Sequence, residues 1–220
     1  MVRREMMGLQ VVRALTLTAT IGGFFLAVGL LPLADVIAIG FIAPILITIL
    51  SVLFLGERVG VRHWIAILVG FGGVMIIVRP GGDLFHWEAA VPLAAALGVA
   101  VYQTMTRPIS QAVEPPAILY TATLVGLVAT SLALPFVWEL PSTGALLNLF
   151  AAACLGAGAH FMLIKAYQQA EASVVAPFSY SELIWASALG FAVFGDIPAW
   201  TTLAGGLVLV ASGLYLLKRA

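Results

Sequence analysis

The stretch Asp35-Val-Ile-Ala-Ile-Gly-Phe-Ile-Ala-Pro44-Ile-Leu-Ile-Thr-Ile-Leu-Ser51-Val-Leu-Phe-Leu-Gly56-Glu57-Arg58 runs without a charge from Val36 to Leu55 and then stops on Gly-Glu-Arg. About 20 apolar residues are what one helical crossing of a bilayer core requires. Seven further runs of this kind surround it: Val11 to Leu31, His63 to Val78, Trp87 to Met105, Ala117 to Trp138, Ala145 to Ala166, Ala172 to Phe194 and Ala199 to Leu217. None shows the ten-residue alternation of an outer-membrane barrel strand, so a lipid-embedded backbone must pair within each segment as helix. Composition agrees. Of 220 residues 62% are hydrophobic and 9% charged, and mean hydropathy is +1.12. A soluble domain, with roughly a quarter of its residues charged, is excluded. The sequence therefore predicts an all-α integral membrane protein, a polytopic bundle of eight transmembrane helices. The third run is the shortest, and Pro32-Leu33-Ala34-Asp35 reads as a tight outer hairpin between the first two.

Arg3 and Arg4 precede the first run as in a signal peptide, but that run is about twice the length of a signal h-region and lacks a small-x-small cleavage site. Lys and Arg total ten and Asp and Glu ten, so no global field recruits nucleic acid. Their distribution carries more. With the N-terminus inside, Arg3, Arg4, Arg13, Arg58, Arg62, Arg107, Lys165, Lys218 and Arg219 fall on or near the inner face and Arg79 alone outside, nine to one. The positive-inside rule then puts both termini in the cytoplasm, in a multi-pass plasma membrane protein of the bacterial inner-membrane type. Cys154 has no second cysteine to pair with and reads as a packing residue.

The second and third spans have an echo. Leu53-Phe-Leu-Gly56-Glu57 followed by a Gly-rich helix ending in Gly73-Val74 matches Val193-Phe-Gly195-Asp196 followed by a helix with Gly206 and Gly213, seven apart like Ala66 and Gly73, with one residue of slip. Five spans separate Glu57 from Asp196, an odd number, so the copies lie on opposite membrane faces. Inverted repeats of this type underlie secondary transporters.

These residues carry a family resemblance. Ala34-Asp35 through Pro44 to Gly56-Glu57-Arg58, then Gly70 to Gly73 and Arg79-Pro80-Gly81, resembles the EamA domain of the drug/metabolite transporter superfamily. So does Ala170-Glu-Ala-Ser-Val-Val-Ala-Pro177-Phe-Ser-Tyr180-Ser-Glu182 through Phe194-Gly195-Asp196. The resemblance implies ten helices in two inverted five-helix units. On that pattern residues 1–82 form a first, incomplete repeat of three helices lacking the first two, and residues 83–220 a complete second repeat. The implied activity is secondary transport of a small metabolite, amino-acid-like or otherwise polar or amphipathic, by alternating access. The alternative is a truncated, non-transporting helical membrane protein or subunit that needs the missing helices or a partner, a homo-oligomer included.

Glu182 stands about ten residues into its run, near mid-depth at 1.5 Å per residue. An intramembrane carboxylate marks a substrate or proton path by default, and a proton is the coupling ion it suggests; the alternative is a protonated Glu bonding a neighbouring helix. Ser179, Tyr180 and Trp185 flank it, and Ser179 and Glu182, three apart, share a face. Pro177 and Pro44 free backbone carbonyls and kink their helices. His160 is a second candidate, either a relay partner for Glu182 or a packing residue. Tyr102 and Gln103, at the inner end of the fourth span, form a polar vestibule with Lys165 and Tyr167, which read as interface anchors. Arg13 and Asp35 read as orientation devices, Glu57 and Asp196 as interfacial caps, and Gly70, Gly72, Gly73, Gly205, Gly206 and Gly213 as packing residues. No HExxH, Walker A, GxSxG or Cys/His metal spacing occurs, so no enzyme, metal site or cofactor is expected. The partners are a small-molecule substrate and the lipid bilayer.

Overall fold

The computed structural model describes residues 4–31, 33–78, 87–137, 140–194 and 200–217. Among these all regular structure is helical: α1 (Arg4–Leu30), α2 (Leu33–Gly40), α3 (Ala43–Leu50), α4 (Val61–Val78), α5 (Ala90–Ala112), α6 (Pro115–Val137), α7 (Thr143–Gln169), α8 (Ala172–Val175), α9 (Ser181–Phe194) and α10 (Trp200–Leu217). They make eight membrane segments, because two expected spans are each built in pieces. The second is α2, a turn at Phe41-Ile42, α3 and a π-helical turn over Ser51–Leu55. The seventh is α8, a 3₁₀ turn over Ala176–Tyr180, and α9. Four continuous helical stretches, Met6–Leu30, Trp87–Ala112, Pro115–Phe136 and Thr143–Gln169, are long and apolar enough to cross a bilayer. Threonines within α1 and α6 bond their hydroxyls back to carbonyls four residues earlier, Thr18 to Ala14 and Thr121 to Ala117 for example, which satisfies a polar group inside the span.

Two boundaries differ from the apolar runs by seven residues each. α1 begins at Arg4, not Val11, and α5 continues to Ala112 through Arg107 and Pro108. The polar residues that suggest an exit at Met105 have partners on α7: the Arg107 guanidinium donates to the Tyr167 carbonyl and Gln168 Nε2 donates to the Ser110 carbonyl at 2.8 Å. Tyr102 and Gln103 thus lie inside α5, well short of its end.

The echo between the second and seventh spans is geometric. Setting Gly56 against Gly195 pairs Phe41 with Tyr180, Gly70 with Leu209 and Gly73 with Ser212. Phe41 and Tyr180, one at each helix break, pack with ring centroids 6.0 Å apart. A Cβ on Gly70 would lie 3.2 Å from Ser212 Oγ, and one on Gly73 3.3 Å from Leu209 Cγ, so the contact and its counterpart under the repeat both occur. As residue numbers rise along α4 they fall along α10, so the paired helices are antiparallel, as inverted copies must be. The one-residue slip inferred from Gly206 and Gly213 is not needed: Gly206 has nothing within 4 Å of its Cβ position and is off the packing face.

The prolines occupy different places in the two breaks. Pro44 opens α3 just after the first break, where its missing N–H costs nothing, whereas Pro177 sits at the start of the 3₁₀ turn. The π turn follows Thr48 and Ser51, whose hydroxyls bond back to the Pro44 and Thr48 carbonyls at 2.9 Å each and loosen the regular ladder. Gly56 ends it in the left-handed region at φ 69°, a conformation glycine adopts without a Cβ clash.

That turn sends Glu57 toward the start of α8. Its Oε1 accepts from the Ala172 N–H at 2.7 Å and its Oε2 accepts from the Ser173 N–H at 2.9 Å and the Ser173 hydroxyl at 2.7 Å. Glu57 is therefore a cap, as its position suggests, but for a helix 115 residues away. The counterpart, Asp196, lies outside the described residues. Burial works to raise the Glu57 pKa, but the hydrogen bonds from Ser173 and Ala172 outweigh it and hold the carboxyl below the ordinary value. A depressed folded pKa adds stability that is complete above the unfolded value, roughly pH 4.3, and fades as pH falls through the folded one. Glu57→Ala should lower stability by about 1–2 kcal/mol at neutral pH, the usual worth of a cap, and the gap to wild type should narrow below pH 4. Thermal unfolding in detergent across that range measures it; a gap that does not change with pH would remove the carboxylate's role.

Candidate functional site

α5 separates two cavities. The larger, about 940 Å³, lies among α1, α5, α6 and α7; its walls are apolar or small, with Leu17, Ile21, Gly22, Gly126 and Ala157 among them, and its polar groups include Arg13, Tyr102 and His160. The smaller, about 320 Å³, lies between α2, α3, α5 and the second helix break, with Phe41, Pro44, Gln103, Ser179 and Glu182 in its lining. Tyr102 and Gln103 are neighbours in sequence, and successive helical residues point about 100° apart. Each therefore serves a different cavity.

Arg13 is 1% exposed. Its Nε donates to Thr106 Oγ1 at 2.7 Å, its Nη2 donates to the Tyr102 hydroxyl at 3.3 Å, and its guanidinium carbon lies 4.6 Å from the centre of the Tyr102 ring. Thr106 in turn donates to the Tyr102 carbonyl at 2.7 Å. Tyr102 Oη is 3.0 Å from His160 Nδ1. Which of the two carries the shared proton follows the imidazole tautomer. Among the described residues Arg13 makes no ion pair. Sequence reasoning treated Arg13 as an orientation device, although an arginine a few turns into a membrane helix, costing about 2.5–3.5 kcal/mol on insertion scales, signals a site by default.

Around the smaller cavity, the Tyr167 hydroxyl donates to Gln103 Oε1, and the Gln103 amide nitrogen makes no other hydrogen bond among the described residues. Ser179 lies in the 3₁₀ turn and Glu182 in the first turn of α9, which follows that turn without a gap. Glu182 is exposed and makes no hydrogen bond among the described residues, so the interhelical bond of its alternative role is not formed.

The seven sequence candidates thus divide. Tyr102 and His160 meet in one cavity, Gln103, Ser179 and Glu182 in the other, so a Glu182–His160 relay has no direct contact. Tyr180 is buried at the helix break, its ring against Gly70 and Phe41 and its hydroxyl unpartnered among the described residues. Trp185 is 67% exposed and lines neither cavity. Tyr167 is fully buried, not an interface anchor, because its hydroxyl and carbonyl are taken by Gln103 and Arg107. Lys165 lies over the Phe161 ring, its Nζ 5.3 Å from the centroid. No group of three metal-ligating side chains occurs among the described residues.

Comparison with known proteins gives this geometry a context. Residues 3–79 and 86–218 match the EamA-like transporter family. A riboflavin transporter of Vibrio cholerae serotype O1 is 34% identical over 187 residues, 84% of this chain and 62% of that protein. An S-adenosylmethionine uptake transporter of Rickettsia bellii is 26% identical, over 84% of this chain and 64% of that one. A pseudopaline exporter of Pseudomonas aeruginosa is 27% identical, over 88% and 69%. The chain thus spans a little under two thirds of the length of the first two. A solved crystal structure superposes with a TM-score of 0.79 at 18% identity, covering 95% of this chain and 76% of the other, which speaks to the fold alone.

Proposed function

The chain belongs to the EamA-like transporter family of the drug/metabolite transporter superfamily, and from that premise we propose that it moves a small polar or amphipathic metabolite across the inner membrane by alternating access. Residues 1–82 and 83–220 act as the two repeats. The observation that carries this reading is the meeting of two inverted, broken segments at Phe41 and Tyr180 beside a cavity lined by Gln103, Ser179 and Glu182. Discontinuous helices at a repeat interface are where secondary transporters build their binding sites. Glu182 supplies a site for a cationic substrate group or a coupling proton, and Gln103 and Ser179 supply neutral hydrogen-bonding groups. The names of the relatives support a small organic solute and include both uptake and export. Uptake and counterflow of such solutes in proteoliposomes test it; no flux for any of them, with the protein folded and inserted, would overturn it.

Alternating access also fixes a topology. In a Cys154→Ala background, Arg58→Cys should react with a membrane-impermeant maleimide from the cytoplasmic side and Trp200→Cys from the opposite side, and a reporter fused after Ala220 should report the cytoplasm. Labelling of both cysteines from one side would remove the inverted arrangement and the mechanism with it.

A further inference from the structure

We propose that the larger cavity binds an amphipathic anion, a carboxylate carried on an apolar body, with Arg13 as its counter-charge. The site is distinct from the Glu182 cavity across α5, and its use in transport rests on the reading above. Three observations carry it.

The first is charge. Arg13 is 1% exposed, lies within the Met6–Leu30 span, and pairs with no carboxylate among the described residues. Among the described residues Glu57 caps α8 and Glu182 lines the smaller cavity, so neither serves as its partner. Ionisable side chains inside a membrane protein ordinarily pair or line a path, and here the place open to a counter-charge is the cavity itself.

The second is donor geometry. Thr106 and Tyr102 take the Nε proton and one Nη2 proton of Arg13, leaving three of the five guanidinium protons unassigned. His160, whose Nδ1 is engaged with the Tyr102 hydroxyl, lines the same cavity beside them. The polar end of the cavity is thus rich in donors, and a carboxylate accepts from a guanidinium in the bidentate way that suits it.

The third is shape. Beyond this polar end the walls are mainly apolar, the hydroxyls of Thr18, Thr123 and Thr130 being bonded back to carbonyls of their own helices, and Gly22, Gly126 and Gly156 widen the space to about 940 Å³, the upper part of the range for drug-sized ligands. A small hydrophilic anion would leave those walls unfilled, and a neutral apolar solute would leave Arg13 without a counter-charge.

The test is calorimetric titration of the full chain in phosphatidylcholine nanodiscs with indole-3-propionate and its uncharged amide. The acid should bind at least tenfold more tightly than the amide, Arg13→Gln should abolish that preference, and Arg13→Lys should retain part of it. Equal affinities in the wild type, no saturable binding of the acid, or an unchanged preference in Arg13→Gln would overturn the proposal. The wild-type comparison stands even where Arg13→Gln does not fold. Loss of acid binding when phosphatidylglycerol replaces half of the lipid would assign the anion to a lipid headgroup and overturn the solute site. Acid preference without solute flux would sink the transport reading and leave this site standing, whereas flux without acid preference would do the reverse.

Discussion

Glu182→Gln should lower gradient-driven solute transport in proteoliposomes at least tenfold while leaving expression and thermal stability close to wild type. The carboxylate stands in the first turn of α9, immediately after a helix break, on the smaller cavity, and makes no hydrogen bond among the described residues. A group so placed contributes little to packing, so its charge or proton is what the amide removes. Glutamine keeps the size and hydrogen-bonding capacity and abolishes titration; a coupled step that needs the proton loses it, along with its pH dependence. Glu182→Leu separates the alternative. If the side chain served to bind a neighbouring helix, its loss would cost about 0.6–2 kcal/mol of stability and appear in the melting temperature. Wild-type flux with unchanged pH dependence in Glu182→Gln would take Glu182 out of the mechanism.

Gly73→Leu should cause a large loss of stability, because its contact with α10 has no room for a side chain. A Cβ there would already lie 3.1 Å from the backbone carbonyl oxygen of Gly205, 3.2 Å from Val208 Cγ1 and 3.3 Å from Leu209 Cγ, and a backbone atom cannot step aside as a side-chain tip can. Overpacking of such a contact costs about 1–3 kcal/mol, here between α4 and α10. Gly72→Leu is the internal control, since nothing lies within 4 Å of its Cβ position. In detergent the first variant should melt several degrees below wild type, or fail to yield a monodisperse peak, while the second should match wild type. Equal behaviour of the two would mean that α4 and α10 do not pack closely at Gly73.

Much of the architecture was legible in the sequence because lipid imposes so strict a rule. An uncharged stretch such as Val36 to Leu55 has few ways to satisfy its backbone other than as helix, and eight such stretches set the segment count. Pro44 and Pro177 marked the two interrupted segments. The division of the polar residues between two cavities was not legible. It depends on how α5 is rotated, and a shift of one residue moves a side chain by 100° without altering the hydropathy of the run. The surroundings of Arg13 were not legible for a related reason. Counted among basic residues it serves topology, and its partners Tyr102 and Thr106 lie 89 and 93 residues away, beyond any local pattern. The placement of Trp185 also escaped, since proximity to Glu182 in sequence says nothing about which side of α9 it occupies.

The adjacent residues Tyr102 and Gln103 have a mechanical consequence. Although they serve opposite cavities, both are tied to the same helix, Tyr102 through His160 and Gln103 through Tyr167. Two tethers leaving α5 at different azimuths and ending on α7 resist torsion of α5 in either sense, much as two spokes fix a wheel to its rim. Exchanging the chemistry of one cavity for that of the other by twisting α5 about its axis would break at least one tether. Rotation of α5 at this wall is thereby coupled to α7 through the two side chains that α7 supplies, His160 and Tyr167.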